Sequence, residues 1–252
     1  MPDIKTFYYS KSIKEGDKLQ FGNSDFHHMR DVLKLKENSI VYLLTQDGKF
    51  RAILEKYQKT YALITVGEKR NDEISLPNIH LIQGIPKGWK MDEIIEKATE
   101  MGVSSIIPVY TSRSIPNYSK EEELHKIQRW EKIAISASKQ SRRDTIPSIQ
   151  PICNLQSLFD QNLLPNFGKI IFWEVEQQQN LFVYLKQKFV SDYFLLIGPE
   201  GGISHEEADL AFKASFQSCS LGRTILRTET ASPFAIGLVR YTWNIINAES
   251  LY

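Results

Sequence analysis

Two bends near the carboxyl end of the sequence gather residue types that could do chemistry. The first, Gly198-Pro199-Glu200-Gly201-Gly202, follows the apolar run Tyr193–Ile197 and precedes Ser204-His205-Glu206-Glu207. Backbone this bare lets a ligand approach closely, and strand-to-helix turns are where open α/β sheets bind ligands. A tight turn without a ligand accounts for these five residues equally well. Two phosphate-binding patterns fail: no Gly-Lys-Ser/Thr follows the glycines, and the turn is far from the first strand, where a dinucleotide fingerprint sits. Glu200 would repel a phosphate and suits a cationic or hydroxyl-bearing ligand.

The second bend is Leu221-Gly222-Arg223-Thr224-Ile225-Leu226-Arg227-Thr228-Glu229-Thr230-Ala231. It mixes two arginines, a glutamate and three threonines with apolar residues and follows neither helical nor strand periodicity. Arginines set among apolar residues in a connection are costly unless they meet a partner. A solvated loop with incidental charge is the bland alternative.

The elements that must position these bends fall into two textures. In the first seventy residues or so, β-type runs at Ser39–Thr45, Lys49–Lys56 and Thr60–Gly67 are separated by turn signals such as Gln46-Asp47-Gly48. A short helix over 25–36 interrupts them, and the whole suggests a small barrel or sandwich. The polar stretch 71–78 reads as a linker.

Strands and helices then alternate. Strands are expected at Ile79–Ile85, Ser105–Val109, Lys169–Trp173, Tyr193–Ile197 and around Cys219–Leu221. Lys90–Met101 reads as a helix with Met91, Ile94, Ile95, Ala98 and Met101 on one face and Gly102 ending it. Capping boxes at Ser119/Glu122 and Ser204/Glu207 open two more helices, the first running to about Gln140. Ser232 as N-cap and Pro233 at the first helical position predict a final helix from 233 to about 248. The apolar strands suit a parallel sheet covered on both faces. The fold class is therefore α/β: a small β domain over 1–72, then an α/β domain over 73–252.

Composition narrows the function. A net charge of +1 gives no bulk field for nucleic acid, so any such binding needs a local basic patch. Two cysteines, Cys153 and Cys219, without CxxC spacing argue against a disulfide framework or a zinc site. The first residues lack the apolar core of a signal peptide and no run reaches transmembrane length, so a cytoplasmic protein without membrane or metal partners is expected.

Taken together, IGPEGGISHEE and LGRTILRTETA resemble the signature of the RsmE family of ribosomal RNA (uracil-N3) methyltransferases, in the SPOUT superfamily. Further matches run along the chain: Lys97–Val103, Pro108 with Thr111-Ser112-Arg113-Ser114, Gln140–Arg143 with Ile146-Pro147, and Phe26–Lys34. The resemblance implies a PUA-like β-barrel for RNA contact, then a SPOUT domain with a C-terminal trefoil knot. It implies a homodimer that uses S-adenosyl-L-methionine (SAM) to methylate N3 of a uridine in small-subunit (16S) ribosomal RNA.

On this likeness Ile197, Gly198, Pro199, Glu200, Gly201 and Gly202 would form one wall of the cofactor pocket. Leu221, Gly222, Ile225, Leu226 and Thr228 would form the other. Glu229 becomes the expected base for the N3 proton, and Arg227 the partner of the developing negative charge. Lys5, Arg30, Lys34, Arg113, Arg142 and Arg143 are the expected RNA contacts, with His27, His28 and Lys36 beside them. Lys5 and Lys34 stand where the family has arginine and lose the bidentate fork, while Lys139 stands where it has glutamate. Two other readings stay open: a SPOUT enzyme acting on another RNA, and a catalytically silent RNA-binding protein.

Overall fold

A computed structural model describes residues 4–70, 77–160, 164, 167–173, 175 and 179–249. Two compact units result: one holds the described residues up to 70 together with Ser138–Ile146, and the other holds the remainder. The sequence boundary at 72/73 and most of the expected linker lie outside the described residues. The segment Ser138–Ile146 packs with the N-terminal unit although it sits deep within the range 73–252.

The N-terminal unit contains β1 (Thr6–Tyr8), β2 (Lys18–Gly22), α1 (Asn23–His27), β3 (Ile40–Thr45), β4 (Gly48–Tyr57) and β5 (Tyr61–Lys69). Their order β1-β3-β4-β5-β2 makes a five-stranded half-barrel, antiparallel except for the β1–β3 pair. Alternation decides which side chains go inside. In β5, Ala62, Ile64 and Val66 face the core while their neighbours face outward. Phe7, Phe21, Phe26, Met29 and Leu43 complete that core. The helix expected over 25–36 is instead α1 followed by a π-helical turn, His28–Val32. That wider turn buries Met29 completely and leaves His27, His28 and Arg30 exposed.

The second unit contains β6 (Asn78–Gly84), α2 (Lys90–Glu100), β7 (Ser105–Tyr110), α3 (Lys120–Gln140, its last turn in the other unit), β8 (Ser148–Ile149) and β9 (Cys153–Asn154). It continues with α4 (Leu155–Asp160), β10 (Gly168–Phe172), α5 (Leu181–Gln187), β11 (Asp192–Ile197), α6 (His205–Lys213), β12 (Gln217–Ser218) and α7 (Thr228–Glu249). Among the described residues these strands form one parallel sheet in the order β12-β10-β11-β6-β7-β8, with β9 also on β7. β11 carries an almost unbroken buried run, Tyr193 to Ile197, as a strand covered on both faces must. β11 and β6 are neighbours whose crossovers leave in opposite directions, toward β12 and toward β7. The space beyond their carboxyl ends is the switch point of the sheet.

Both capping boxes form: Ser119 and Glu122 exchange side-chain to backbone bonds, as do Ser204 and Glu207. Met91, Ile94, Ile95 and Ala98 of α2 are buried, whereas Met101, just past the helix, is 41% exposed.

Two expected elements differ. The strand placed at Cys219–Leu221 is Gln217–Ser218, and the chain from Cys219 runs free of regular structure to α7. The last helix starts at Thr228, so Ser232 is an interior residue rather than a cap. Ser232 is fully buried, and its hydroxyl lies against the Thr228 carbonyl and the Gln83 side-chain oxygen. A Ser-Pro pair looks the same at a helix start and one turn inside it. Pro233, the sixth residue of the helix, has no N–H to give to the Glu229 carbonyl in the turn before it. Strands β1, β2, β8 and β9 and helices α4 and α5 had no clear signal in the sequence, being short or weakly patterned.

Candidate active site

Apolar β11 ends at Ile197, and the chain must then reverse toward α6. Pro199 to Gly202 close that reversal as a tight turn, with the Gly202 N–H on the Pro199 carbonyl at 2.9 Å. Gly202 has φ +73°, in the left-handed region. At Gly198 a Cβ would stand 2.7 Å from the backbone of Gly202, so the reversal itself excludes a side chain.

The glycine turn is tied to the start of α7 by buried polar groups. The Thr228 hydroxyl donates to the Gly198 carbonyl at 2.8 Å and accepts from Gln83 Nε2 at 3.0 Å. Gln83, fully buried at the end of β6, also bonds Gly84 and Gly198 carbonyls. The Ser232 hydroxyl satisfies the Gln83 side-chain oxygen. Every member has a partner, which is the condition under which a buried polar network fixes a geometry rather than weakening it. Two bends separated by α6 and β12 are thereby brought edge to edge.

Between them lies a cleft of about 430 Å³. All of Ile197, Gly198, Pro199, Glu200, Gly201, Gly202, Leu221, Gly222, Ile225, Leu226 and Thr228 line it, and so does Arg227. Its size is that of a small-molecule site, and its lining mixes bare backbone with Ile, Leu and aromatic surface. Sequence reasoning missed Phe172, Trp173 and Ser220, which also line it. Trp173 follows a buried strand directly, a place where an aromatic reaches the ligand end of a sheet. Its indole N–H donates to the Ile203 carbonyl at 3.1 Å, fixing the ring against the loop after the glycine turn.

The carboxylates have other partners. Glu200 lies 3.1 Å from Lys90 Nζ and accepts from the Lys87 N–H at 3.2 Å. The cation this acid meets is thus the protein's own. Burial opposes ionisation of Glu200, but its own backbone N–H, Lys90 and Lys87 together hold the carboxyl below its usual range. The hydrogen bond to Glu200 raises Lys90 in turn.

Glu229 lies 3.5 Å from the same ammonium, with its side chain only 13% exposed. It stands beside the cleft lining rather than in it, whereas Arg227 is exposed at the cleft. Lys90 thus links the glycine turn to the first turn of α7. A lysine at the first position of a helix opposes the helix dipole, and that anomaly was the signal that could have found it.

The expected RNA contacts divide. Arg113 is exposed, and its guanidinium donates to the Gly201 carbonyl at 2.6 Å, so part of it buttresses the glycine turn. Arg142 and Arg143 belong to the segment held by the N-terminal unit. Arg30 is exposed above the Phe26 ring, and its fork grips Asp31 at 2.7 and 3.1 Å. That grip, with His27 second, pulls the Asp31 carboxyl down to about 2. Lys34 and Lys36 are exposed and Lys5 is half-buried.

Comparison with known proteins places this architecture. Residues 72–240 match the model of the RNA methyltransferase domain. Ribosomal RNA small subunit methyltransferase E of Bacillus subtilis is 28% identical over 247 residues, covering 95% of this chain and 96% of that protein. Its namesake from Buchnera aphidicola is 32% identical over 236 residues, covering 93% and 87%. A crystal structure of ribosomal RNA small subunit methyltransferase E from Neisseria gonorrhoeae, bound to S-adenosyl methionine, aligns with a TM-score of 0.82. Its identity is 29%, over 95% of this chain and 98% of that one. A putative methyltransferase from Legionella pneumophila with bound cofactor SAM aligns at 0.75, with 27% identity over 94% and 97%. The chain belongs to the RNA methyltransferase family that includes ribosomal RNA small subunit methyltransferase E.

Proposed function

We propose that this protein methylates N3 of a specific uridine in small-subunit (16S) ribosomal RNA, with SAM as the methyl donor. The observation that carries the reading is the meeting of two bends in one cleft, held there by the buried Gln83–Thr228–Ser232 network. The cleft residues fit the cofactor. Backbone N–H and C=O groups of the turn suit the edge of adenine, and Ile197, Leu221, Ile225, Leu226 and Trp173 suit its faces. When bound, SAM supplies an electrophilic methyl group on a sulfonium.

The remaining work belongs to the chain. Uracil N3 carries a proton and is a poor nucleophile until it is lost. Glu229 accepts that proton, and Arg227, exposed at the cleft, stabilises negative charge on the flanking carbonyl oxygens. The 3.5 Å pair with Lys90 favours a second role for Glu229, the anchoring of α7 to α2. Lys5, Arg30, Lys34, Arg113, Arg142 and Arg143 hold the RNA backbone. The reading includes a trefoil knot, which the family resemblance brings with it.

The working form is a homodimer. Phe234, Tyr241 and Ile245 form an exposed apolar stripe at helical spacing along α7, and Ile225 at the cleft is 86% exposed. A second copy packed on α7 would cover this stripe. Among the described residues no helix is long and apolar enough to cross a membrane, and no cluster of metal-ligating side chains is present. The site of action is the cytoplasm, where the ribosomal RNA is.

Modified uridines in ribosomal RNA should be mapped by mass spectrometry in cells with and without this protein. Loss of one N3-methyluridine from the small-subunit RNA is the expected result. An unchanged small-subunit map with a methyl group missing from another RNA would transfer the activity to that substrate.

A further inference from the structure

Lys49 begins as an unremarked residue of β4, yet its side chain is only 1% exposed. Buried lysines are rare because the ammonium must recover in the protein the bonds it gives up in water. Here it does so on a single turn of chain. Its Nζ lies 3.0 Å from the Arg142 carbonyl, 3.4 Å from the Arg143 carbonyl and 3.2 Å from Asp144 Oδ1. Two of the ammonium's donors thus meet carbonyls, and the Asp144 carboxylate completes its surroundings as an ion pair. The Tyr42 ring lies 4.9 Å from the nitrogen, and Arg70 closes the far side, 3.6 Å from the other Asp144 oxygen.

The turn so held is itself unusual. At the end of α3, the Arg143 N–H reaches the Ser138 carbonyl and the Arg142 N–H the Lys139 carbonyl, the bonding pattern of a Schellman cap. The residue in the left-handed position of such a cap is commonly glycine. In this chain it is Arg142, at φ +60°. A β-carbon makes that conformation unfavourable, so something outside the turn must stabilise it.

We infer that Lys49 is a positioning residue for RNA binding, whose buried ammonium fixes the left-handed turn that presents Arg142 and Arg143 to the phosphate backbone. This rests on the reading of those two arginines as RNA contacts and names the group through which the N-terminal unit sets their geometry. Lys49 itself, being buried, touches no RNA.

The test uses the full-length protein, unmodified small-subunit ribosomal RNA transcribed in vitro, and a double-mutant cycle. Because Lys49→Met alone strands the Asp144 carboxylate, the main variant is Lys49→Met with Asp144→Asn, and SAM affinity serves as the check on the rest of the fold. RNA affinity should fall about tenfold, and the slope of log affinity against log salt should become shallower by roughly 1.5, with SAM affinity unchanged. In an Arg142→Ala/Arg143→Ala background the same pair of changes should cost less than twofold more. A full additional loss in that background would show that Lys49 serves the N-terminal fold and not the arginines, overturning the inference alone. Parental RNA affinity in the Arg142→Ala/Arg143→Ala protein would remove the arginines from RNA binding and the inference with them. Parental affinity and salt slope in the Lys49/Asp144 variant, with a weakened arginine variant, would overturn the inference while leaving the arginines in place.

Discussion

The cleft between the two C-terminal bends and the exposed cations of the N-terminal unit are built from opposite materials. In the cleft, backbone and neutral side chains do most of the lining, with Glu200, Arg223 and Arg227 as the charged members, and the polar groups that tie its walls together (Gln83, Thr228, Ser232) are buried and mutually bonded. On the N-terminal unit the proposed RNA contacts include exposed cations such as Arg30, which grips Asp31, and Lys34. A buried neutral network fixes geometry to a fraction of an ångström and is indifferent to salt. Surface cations give affinity that is sequence-tolerant and strongly screened. The difference suits a protein that must hold one small cofactor in one pose while gripping a long polyanion.

The largest expected effect lies beside the cleft. Glu229→Gln should lower turnover by about 10²- to 10⁴-fold while SAM affinity changes less than twofold. Turnover at the parental rate would move the proton acceptor elsewhere and leave Glu229 as the partner of Lys90. Arg227→Gln should cost about 10²-fold in turnover, again with little change in SAM affinity. Steady-state kinetics beside calorimetry separates the two quantities.

Breaking the network comes next. Thr228→Val removes the hydroxyl donor to the Gly198 carbonyl and one of the acceptors of Gln83, which keeps the Gly84 carbonyl and a longer contact to Gly198. A buried polar group so stranded costs about 1–3 kcal/mol, so SAM affinity should fall roughly tenfold. A variant with parental affinity would mean that the glycine turn holds its shape unaided. Salt sharpens the contrast from the other side. Between about 50 and 200 mM, RNA affinity should fall steeply while SAM affinity moves less than about twofold. Parallel salt dependence for both ligands would erase the distinction.

The smallest effect belongs to Asp31, whose carboxyl is drawn from its ordinary 3.8 to about 2, chiefly by Arg30. A lowered folded value means that whatever stability the pair contributes is present above the ordinary carboxylate range. It is lost as the pH falls toward the folded midpoint. A carboxyl NMR titration should find that midpoint near 2, and one near 3.8 would show the Arg30 fork open in solution.

Legibility in the sequence follows the same division. Each bend is legible locally, as glycines where a reversal excludes side chains, a capping box at Ser204/Glu207 and a second polar stretch, but only the family resemblance joins the two as walls of one pocket. The apolar strands β6, β7, β10 and β11 declared themselves by their runs. What stayed hidden depends on long-range pairing. Gln83 and Ser232 are 149 positions apart, and nothing near either residue reveals the bond. Ser232 was misread as a cap for this reason, since its role is set by a strand on the other side of the sequence. Lys49 and the segment Ser138–Ile146 show the same blindness, because a lysine in an alternating strand ordinarily faces solvent. Lys90 was visible in principle, as a cation at the wrong end of a helix, but only its two carboxylates give it meaning.

Calorimetric titration of SAM into the purified protein, alongside Gly198→Ala, decides whether the reversal at Gly198 builds a wall of the cofactor site. A methyl group at 198 must displace the backbone of Gly202 and so open the reversal that forms one wall. A saturable heat is expected for the parent, with affinity lowered at least about hundredfold in the variant, equivalent to roughly 2.7 kcal/mol. No heat from the folded parent, or equal affinity in the two proteins, would contradict that role for the turn.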